Sequence, residues 1–439
     1  MDKWKASILP HRRFPLSWYD EMLSRSKTQV KDIPELVEQL VKMEKLKKDC
    51  VVPLDQMKFS LDEAEQFRGG DSSPKVPTLH LSIQEKDEKG NPKGDPATYP
   101  IEPQALTYVS KTLDIPKQYL DRMIYSLPEL AVESTNEWLN HMNEKRKGQT
   151  RFIRLMEGWV RGFLSPRFRA LDHLALVTQI VQVVTGQDGE SGKAEPWARG
   201  ARSVNWSLTP SNLHLCLVNP AIWVDLENLD KGVQTDSPDD AEVMRRVFRK
   251  GLANDTTDWT DSVVYPSVRA SNSETGFGGL YLTPGLCEGF CINLNYYGTQ
   301  LKKYHVGKEM EAGEYSAKTY EKMNEVIFAQ AGDVTRQMFE PENFLIHCKK
   351  FKQLETVTVT NITDAVDNIV KIPGLTEGLR DDILAKYAGY KQVRKSETDN
   401  LFNLNSALTD VAKSVDADTA VILQDLSGTM VQQKRLVLA

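Results

Sequence analysis

The chain has 439 residues, carries a formal net charge of −6, and 26% of it is charged. That length suffices for two or three domains. The acidic balance excludes a general attraction to nucleic acid or anionic membrane, so any such contact has to come from a local basic patch.

Residues 1–75 read as a helical, polar region. ELVEQLVKMEKLKK (35–48) places Leu36, Val37, Leu40, Val41 and Met43 at helical spacing. RGGDSSPKVP (68–77) is a linker by composition. A core domain over 76–310 opens with TLHLSIQ (78–84), which alternates as a strand. EKDEKGNPKGDP (85–96) is an exposed turn, and ATYPIE returns the strand. Two or three helices follow over 103–142, one of them starting at Pro116. TRFIRLMEGWVRGFLSPRFR (150–169) is a hairpin. LDHLALVTQIVQVVTG (171–186) is an amphipathic helix closed by Gly186, with a Gly/Ser-rich break at 186–194. SVNWSLTPSNLHLCLVNP (203–220) and DSVVYPSVRASNSETGFGGLYL (261–282) are strand-rich, separated by an acidic, turn-rich insertion at 225–242. Residues 311–439 are helical. The fold class expected is α+β: a mixed or antiparallel sheet core with β-hairpins, flanked by helical N- and C-terminal regions.

The hairpin holds five Arg in twenty residues, and 144–169 carries eight Lys or Arg against Glu144 and Glu157. With Glu157-Gly158 as a two-residue turn, Met156 pairs with Trp159, Arg154 with Arg161 and Phe152 with Phe163. Those six side chains share one face, and Ile153, Leu155, Val160, Gly162 and Leu164 form the core face. Like charges opposite each other destabilise a ladder unless an anion or carboxylate lies between them. Rings beside guanidinium groups on a sheet suit single-stranded nucleic acid, with bases on the rings and phosphates on the cations. The competing reading is an ion pair to a carboxylate over a second core layer, with Arg stems packed on rings.

NSETGFGG (272–279) lies between strands. Gly276, Gly278 and Gly279 permit a sharp turn or a close approach. The stretch lacks the Gly-Lys-Ser/Thr of a phosphate loop and the third Gly of a dinucleotide fingerprint, and Glu274 would repel a phosphate. A tight hairpin turn shaped by Asn272 and Ser273 accounts for it, with Asn272, Ser273, Glu274 and Gly276 as the residues to watch for a ligand. The cysteines (Cys50, Cys216, Cys287, Cys291, Cys348) are odd in number and irregular in spacing, which points to a reducing compartment rather than a disulfide framework. Cys287, Cys291, His305 and His347-Cys348 match no standard zinc spacing, so neither metal nor cofactor is expected. Gly-x-Ser-x-Gly and His-Glu-x-x-His are both absent from the sequence. The N-terminus MDKWKASILPHRRF lacks the apolar run of a secretion signal, and no stretch approaches a membrane span of about 20 apolar residues. A cytoplasmic location without membrane contact is expected.

Three stretches, VRGFLSPRFRALDHLAL (160–176), ASNSETGFGGLYLTPGLCEGFCINLN (270–295) and KKYHVG (302–307), with LFNLNSALTDVAKS (401–414) more loosely, resemble the phage/plasmid-like protein family, a family of unknown function numbered nine-three-two. The likeness covers about residues 100–310. It departs where the family has Cys-x-Asn-Gly and this chain has Cys291-Ile292-Asn293-Leu294, and where a family Tyr is Phe168. The resemblance implies a phage or plasmid origin, a bacterial host cytoplasm and company with replication and recombination genes. It supplies no catalytic residues.

Together these readings predict a non-enzymatic protein that binds or anneals single-stranded DNA in recombination or replication and forms homo-oligomers. Arg154 and Arg161 would contact phosphates, and Trp159 and Phe163 would stack bases. Lys145, Arg146, Lys147, Arg151, Arg167 and Arg169 would steer the backbone, and Lys302, Lys303 and His305 would add an anion contact. One alternative is a host-interaction or assembly protein that meets host or phage replication proteins. Another is a metal-dependent enzyme on nucleotides or nucleic acid, using Glu274, His305 and the cysteines.

Overall fold

A computed structural model describes residues 33–65, 75–84, 94–145, 148–185, 201–209, 211–236, 262–289, 293–298, 301–303 and 317–435. Within them the fold is α+β, with antiparallel sheets and helices. Helix α1 (Ile33–Leu46) turns Leu36, Leu40 and Met43 inward, following the periodicity of its sequence. β1 (Lys47–Pro53), β5 (Thr150–Met156) and β6 (Trp159–Leu164) make one three-stranded sheet, in the order β1-β5-β6. β2 (Met57–Glu65), β3 (Lys75–Ile83) and β4 (Ala97–Pro100) make another. A single parallel bridge from Ile101 to Val160 joins the two. Helices α2 (Pro103–Thr112), α3 (Lys117–Ser126) and α4 (Pro128–Lys145) complete their shared core, in which Phe59, Leu81, Val109, Leu120, Ile153 and Phe163 are buried.

The expected boundary near residue 75 falls inside the β2–β3 pairing, where Glu65 lies opposite Lys75. The first region is therefore a helix followed by two strands. Each strand needs a partner from the next region, because an isolated strand leaves its backbone groups unpaired.

The largest sheet has eight strands and is centred on β11 (Val263–Asn272). β11 pairs with β12 (Leu280–Glu288) on one side, and with β8 (Leu213–Val218) and β9 (Ile222–Asp225) on the other. β7 (Arg202–Leu208) extends β8, β10 (Gln234–Thr235) extends β9, and β13 (Asn293–Tyr296) and β14 (Leu301–Lys303) pair with β12. One face, with Leu215, Leu217, Val268, Ala270 and Leu282, packs under α1, α5 (His173–Thr185) and α6 (Ala317–Met338). The other face carries His214, Ser267, Arg269 and Ser271 beside a smaller apolar cluster with Cys216, Val218, Tyr265, Cys287 and Tyr296, and is crossed by α11 (Ala417–Gln433). Four more helices, α7 (Pro341–Lys352), α8 (Ile362–Ile369), α9 (Arg380–Val393) and α10 (Leu401–Val411), surround a separate core with Phe344, Phe351, Leu404 and Leu408. The expected helical region from 311 onward is thus divided: α6 joins the core that holds Leu215, Val268 and Leu282 of the sheet, and the other helices share a second core with its Ile222, Val224, Val264 and Leu286. Among the described residues no helix is long and apolar enough to cross a membrane.

Candidate functional site

The hairpin turn forms where the sequence puts it. Glu157 and Gly158 both take positive φ, 51° and 83°, as a two-residue turn of the primed type requires. Met156 pairs with Trp159 as expected, but the register then shifts. Arg154 lies opposite Gly162, Ile153 opposite Phe163 and Phe152 opposite Leu164, with a bulge in between. Arg161 is the extra residue of that bulge, so the expected Arg154–Arg161 and Phe152–Phe163 pairs do not form. A glycine inside a strand marks such bulges, and here it has a packing reason. A Cβ on Gly162 would stand 3.3 Å from the Arg154 Cβ, so the glycine leaves room for the Arg154 stem.

The bulge moves Phe163 onto the core face and sends both arginines toward the large sheet. Arg154 is 1% exposed and Arg161 4% exposed. Asp49, directly opposite Arg154 on β1, takes a forked pair of hydrogen bonds from its Nε and Nη2, each 2.9 Å. Nη2 also donates to Asp172 Oδ1 at 2.7 Å, and Nη1 donates to the Glu274 backbone carbonyl at 3.0 Å. Glu274, fully buried, accepts from Lys47 Nζ at 2.6 Å and from the His173 backbone N–H at 2.7 Å. Its second carboxylate oxygen lies 3.3 Å from Arg161 Nη1. Three cations (Lys47, Arg154, Arg161) therefore meet three carboxylates (Asp49, Asp172, Glu274).

Burial alone would raise the Glu274 carboxyl, but the Lys47, Arg161 and Arg154 cations hold it well below the usual range. Burial likewise opposes the charge on Lys47, and Glu274 and Asp172 outweigh it, so its pKa is raised. His173, enclosed completely, is pushed down to about 3 by burial and stays neutral. Such a centre is internally compensated. The Arg154 and Arg161 guanidinium groups are spent on protein carboxylates and carry no outward-facing charge for a phosphate.

The remaining predicted residues scatter. Phe163 is 1% exposed and packs on Phe59, and Trp159 is half-buried against the sheet's core. The enclosed Phe163 ring is not placed to stack a base. Arg151 is buried and bonds the Thr150 carbonyl. Lys145 and Arg167 are exposed, while Arg169 is half-buried with its Nη2 on Met323 Sδ. Lys302 is exposed and Lys303 half-buried. Arg146, Lys147, His305 and Cys291 lie outside the described residues. Cys50, Cys216, Cys287 and Cys348 are buried thiols. Among the described residues no three His, Cys, Asp or Glu stand together as a metal ligand set, and Glu274 is committed to the cations around it.

The glycine stretch is the turn between β11 and β12, as expected. Ser273 Oγ accepts from the Phe277 N–H at 3.1 Å and donates to the Ser211 carbonyl at 2.8 Å. Asn272 turns inward instead, donating to the Leu171 carbonyl at 2.8 Å. Gly276 has φ +87°, and a Cβ there would meet Leu164 and Tyr108, whose hydroxyl donates to the Gly276 carbonyl. The turn lifts Phe277 outward. This ring is 37% exposed and held edge-on by Tyr108, with centroids 4.9 Å apart. Next to it Tyr281 packs over Gly278 and Gly279, with Lys302 Nζ 5.5 Å from the Tyr281 ring centre.

Sequence reasoning missed Lys47, Asp49, Asp172, His173, Tyr108 and Tyr281. Asp172-His173 at the start of an amphipathic helix was a readable signal, since Asp is a favoured residue at a helix start. Lys47 and Asp49 were not readable, because their partner strand is about a hundred residues away. The chain matches no family model, no curated protein and no solved structure.

Proposed function

We propose that this protein binds single-stranded nucleic acid on the glycine-turn face of the large sheet, rather than on the arginine hairpin. The observation that carries the reading is the exposed Phe277 ring, edge-on to Tyr108 and beside the Tyr281–Lys302 pair. Rings interleaved with cations on a sheet surface suit a single strand, because every base has a face to stack and every linkage a phosphate to neutralise. In this reading Phe277 and Tyr281 stack bases, and Lys302 meets phosphates. Arg167, exposed on the turn that follows Leu164, extends the track. The likeness of three stretches to a phage/plasmid-like family gives the reading its setting, which is strand binding or annealing in replication or recombination by an assembly of copies.

The test is a titration of a fluorescent single-stranded oligonucleotide at several salt concentrations. Wild type is expected to bind with an affinity that falls on a log–log slope of several units. Lys302→Ala is expected to reduce that slope by about 0.7, the share of one neutralised phosphate on a single strand. Phe277→Ala is expected to weaken binding by about 1–3 kcal/mol without changing the slope. Absence of binding at low salt, or binding by both variants equal to wild type, overturns the proposal.

A further inference from the structure

Four neighbouring strands align four side chains across the face of the large sheet that α11 crosses. His214 on β8 lies opposite Ser271 on β11, Ser271 opposite Tyr281 on β12, and Tyr281 opposite Lys302 on β14. Members of such a row stand close enough to interact directly, with Cβ atoms about 5 Å apart. The Ser271 hydroxyl is 2.8 Å from His214 Nδ1. The other ring nitrogen, Nε2, is buried, has no hydrogen-bond partner within 3.5 Å, and lies 3.6 Å from Asp418 Oδ1. Asp418 sits in the first turn of α11, and Asn212 Nδ2 approaches the same oxygen at 3.3 Å.

A hydroxyl on one imidazole nitrogen and a carboxylate on the other is the arrangement that activates a serine. The carboxylate fixes the tautomer with hydrogen on its own side, which leaves a lone pair facing the hydroxyl. We propose that Ser271 is a nucleophile, with His214 Nδ1 as its general base and Asp418 as the group that orients the ring, and that the protein hydrolyses carboxylic esters with a flat aromatic leaving group.

In many serine hydrolases Nε2 takes the serine proton, whereas here Nδ1 faces the hydroxyl. The chemistry needs one basic and one anchored nitrogen, and either ring position supplies them. Ser271 is 8% exposed as a residue, and the His214 and Asp418 side chains are 12% and 62% exposed. The group therefore opens to water at the Asp418 end. The Tyr281 ring, opposite Ser271, offers a surface for an aromatic leaving group.

The Ser271 oxygen attacks the ester carbonyl carbon while its proton passes to His214 Nδ1. The carbon–oxygen bond to the leaving group breaks and the alkoxide takes that proton, which leaves an acyl ester on Ser271. Water attacks the acyl carbon, giving a proton to Nδ1. The serine oxygen leaves and recovers that proton. Ester and water become acid and alcohol, and nothing is oxidised or reduced.

The full chain would be treated with a fluorophosphonate probe and, separately, with p-nitrophenyl acetate. Neither reagent involves nucleic acid, so the outcome is independent of the strand-binding proposal. The expected result is one adduct on the peptide holding Ser271, and hydrolysis that falls about 100-fold or more in His214→Gln. Asp418→Asn, at the partly exposed start of a helix, is expected to keep the fold and to lower the rate at each pH. It also serves where Ser271→Ala does not fold. An adduct elsewhere, the absence of an adduct, or a rate in Ser271→Ala or Asp418→Asn equal to wild type overturns the proposal.

Discussion

At Arg154 the guanidinium is saturated by two carboxylates and a backbone carbonyl in the interior. Arg154→Ala would leave Asp49, Asp172 and Glu274 with only Lys47 and Arg161 to compensate them. Removing one partner of a buried charge group typically costs about 3–5 kcal/mol. The expected outcome is a lower urea midpoint with an unchanged slope. An outward-facing pair of like charges would give the opposite sign, with stability rising when one is removed. Beside Arg161 lies a carboxyl of another kind. Glu102, at the start of α2, is 3% exposed, and burial raises its pKa from 4.5 to about 7, with Arg161 offsetting part of that. Its folded pKa is above its unfolded one, so the stability it contributes is complete below about pH 4.5 and is lost as pH rises toward 7. At 1.36 kcal/mol per unit the loss is about 3 kcal/mol. Glu274 and Asp172 act in the opposite sense, because their carboxyls are lowered and their contribution disappears in acid. Glu102→Gln is therefore expected to flatten the decline in stability between about pH 5 and pH 7 while leaving acid unfolding in place. Urea midpoints across that range check it.

The elements differ in how much of them the sequence discloses. The turn at Glu157-Gly158 was readable because its backbone demand is local. The register beyond it was not, although Gly162 is the kind of residue that marks a bulge. Counting from the turn assumes an unbroken ladder, and one extra residue exchanges every face after it. α1 was readable from its apolar period. β1, which follows it directly, was not, because its half-buried Lys47 and Asp49 suit a strand only when Glu274 and Arg154 supply the opposite charges. The same limit applies to α11, whose composition gives a helix but not the closeness of its crossing. Gly428 and Ser427 let it lie on β13, and a Cβ on Gly428 would fall within the Tyr296 carbonyl. Gly428→Ala must push the helix off the sheet. Overpacking of this kind costs about 1–3 kcal/mol or more. The loss is expected in thermal melts, together with release of the Ser427 hydroxyl from Asn295 Oδ1, now 2.6 Å away.

Across the whole molecule, the helical C-terminal core takes in Ile222, Val224, Val264 and Leu286 of the large sheet, and the polar seam beside them is a joint that composition alone could not place. Glu288, at the end of β12 and 4% exposed, accepts from Arg394 Nη2 at 2.9 Å and from Ser406 Oγ at 3.2 Å. Asn293 and Asn295 of β13 approach its other oxygen at 3.4 and 3.5 Å. Arg394 lies just past α9 and over the Phe402 ring, 4.1 Å from its centre, so one side chain ties α9 and α10 to β12. Arg394→Leu leaves Glu288 buried against neutral donors alone, at an expected cost of about 3–5 kcal/mol. Glu288→Gln keeps the acceptor oxygen and removes the charge, and is expected to cost less, since a neutral hydrogen bond is worth about 1 kcal/mol net. Hydrogen exchange shows where the loss is felt. The seam joins strands that also carry the core under α5 and α6, so Arg394→Leu is expected to lower protection in α9, α10, β12 and β13 together. Loss confined to α7–α11, with β12 protected as in wild type, would show instead that the C-terminal helices open as a unit of their own.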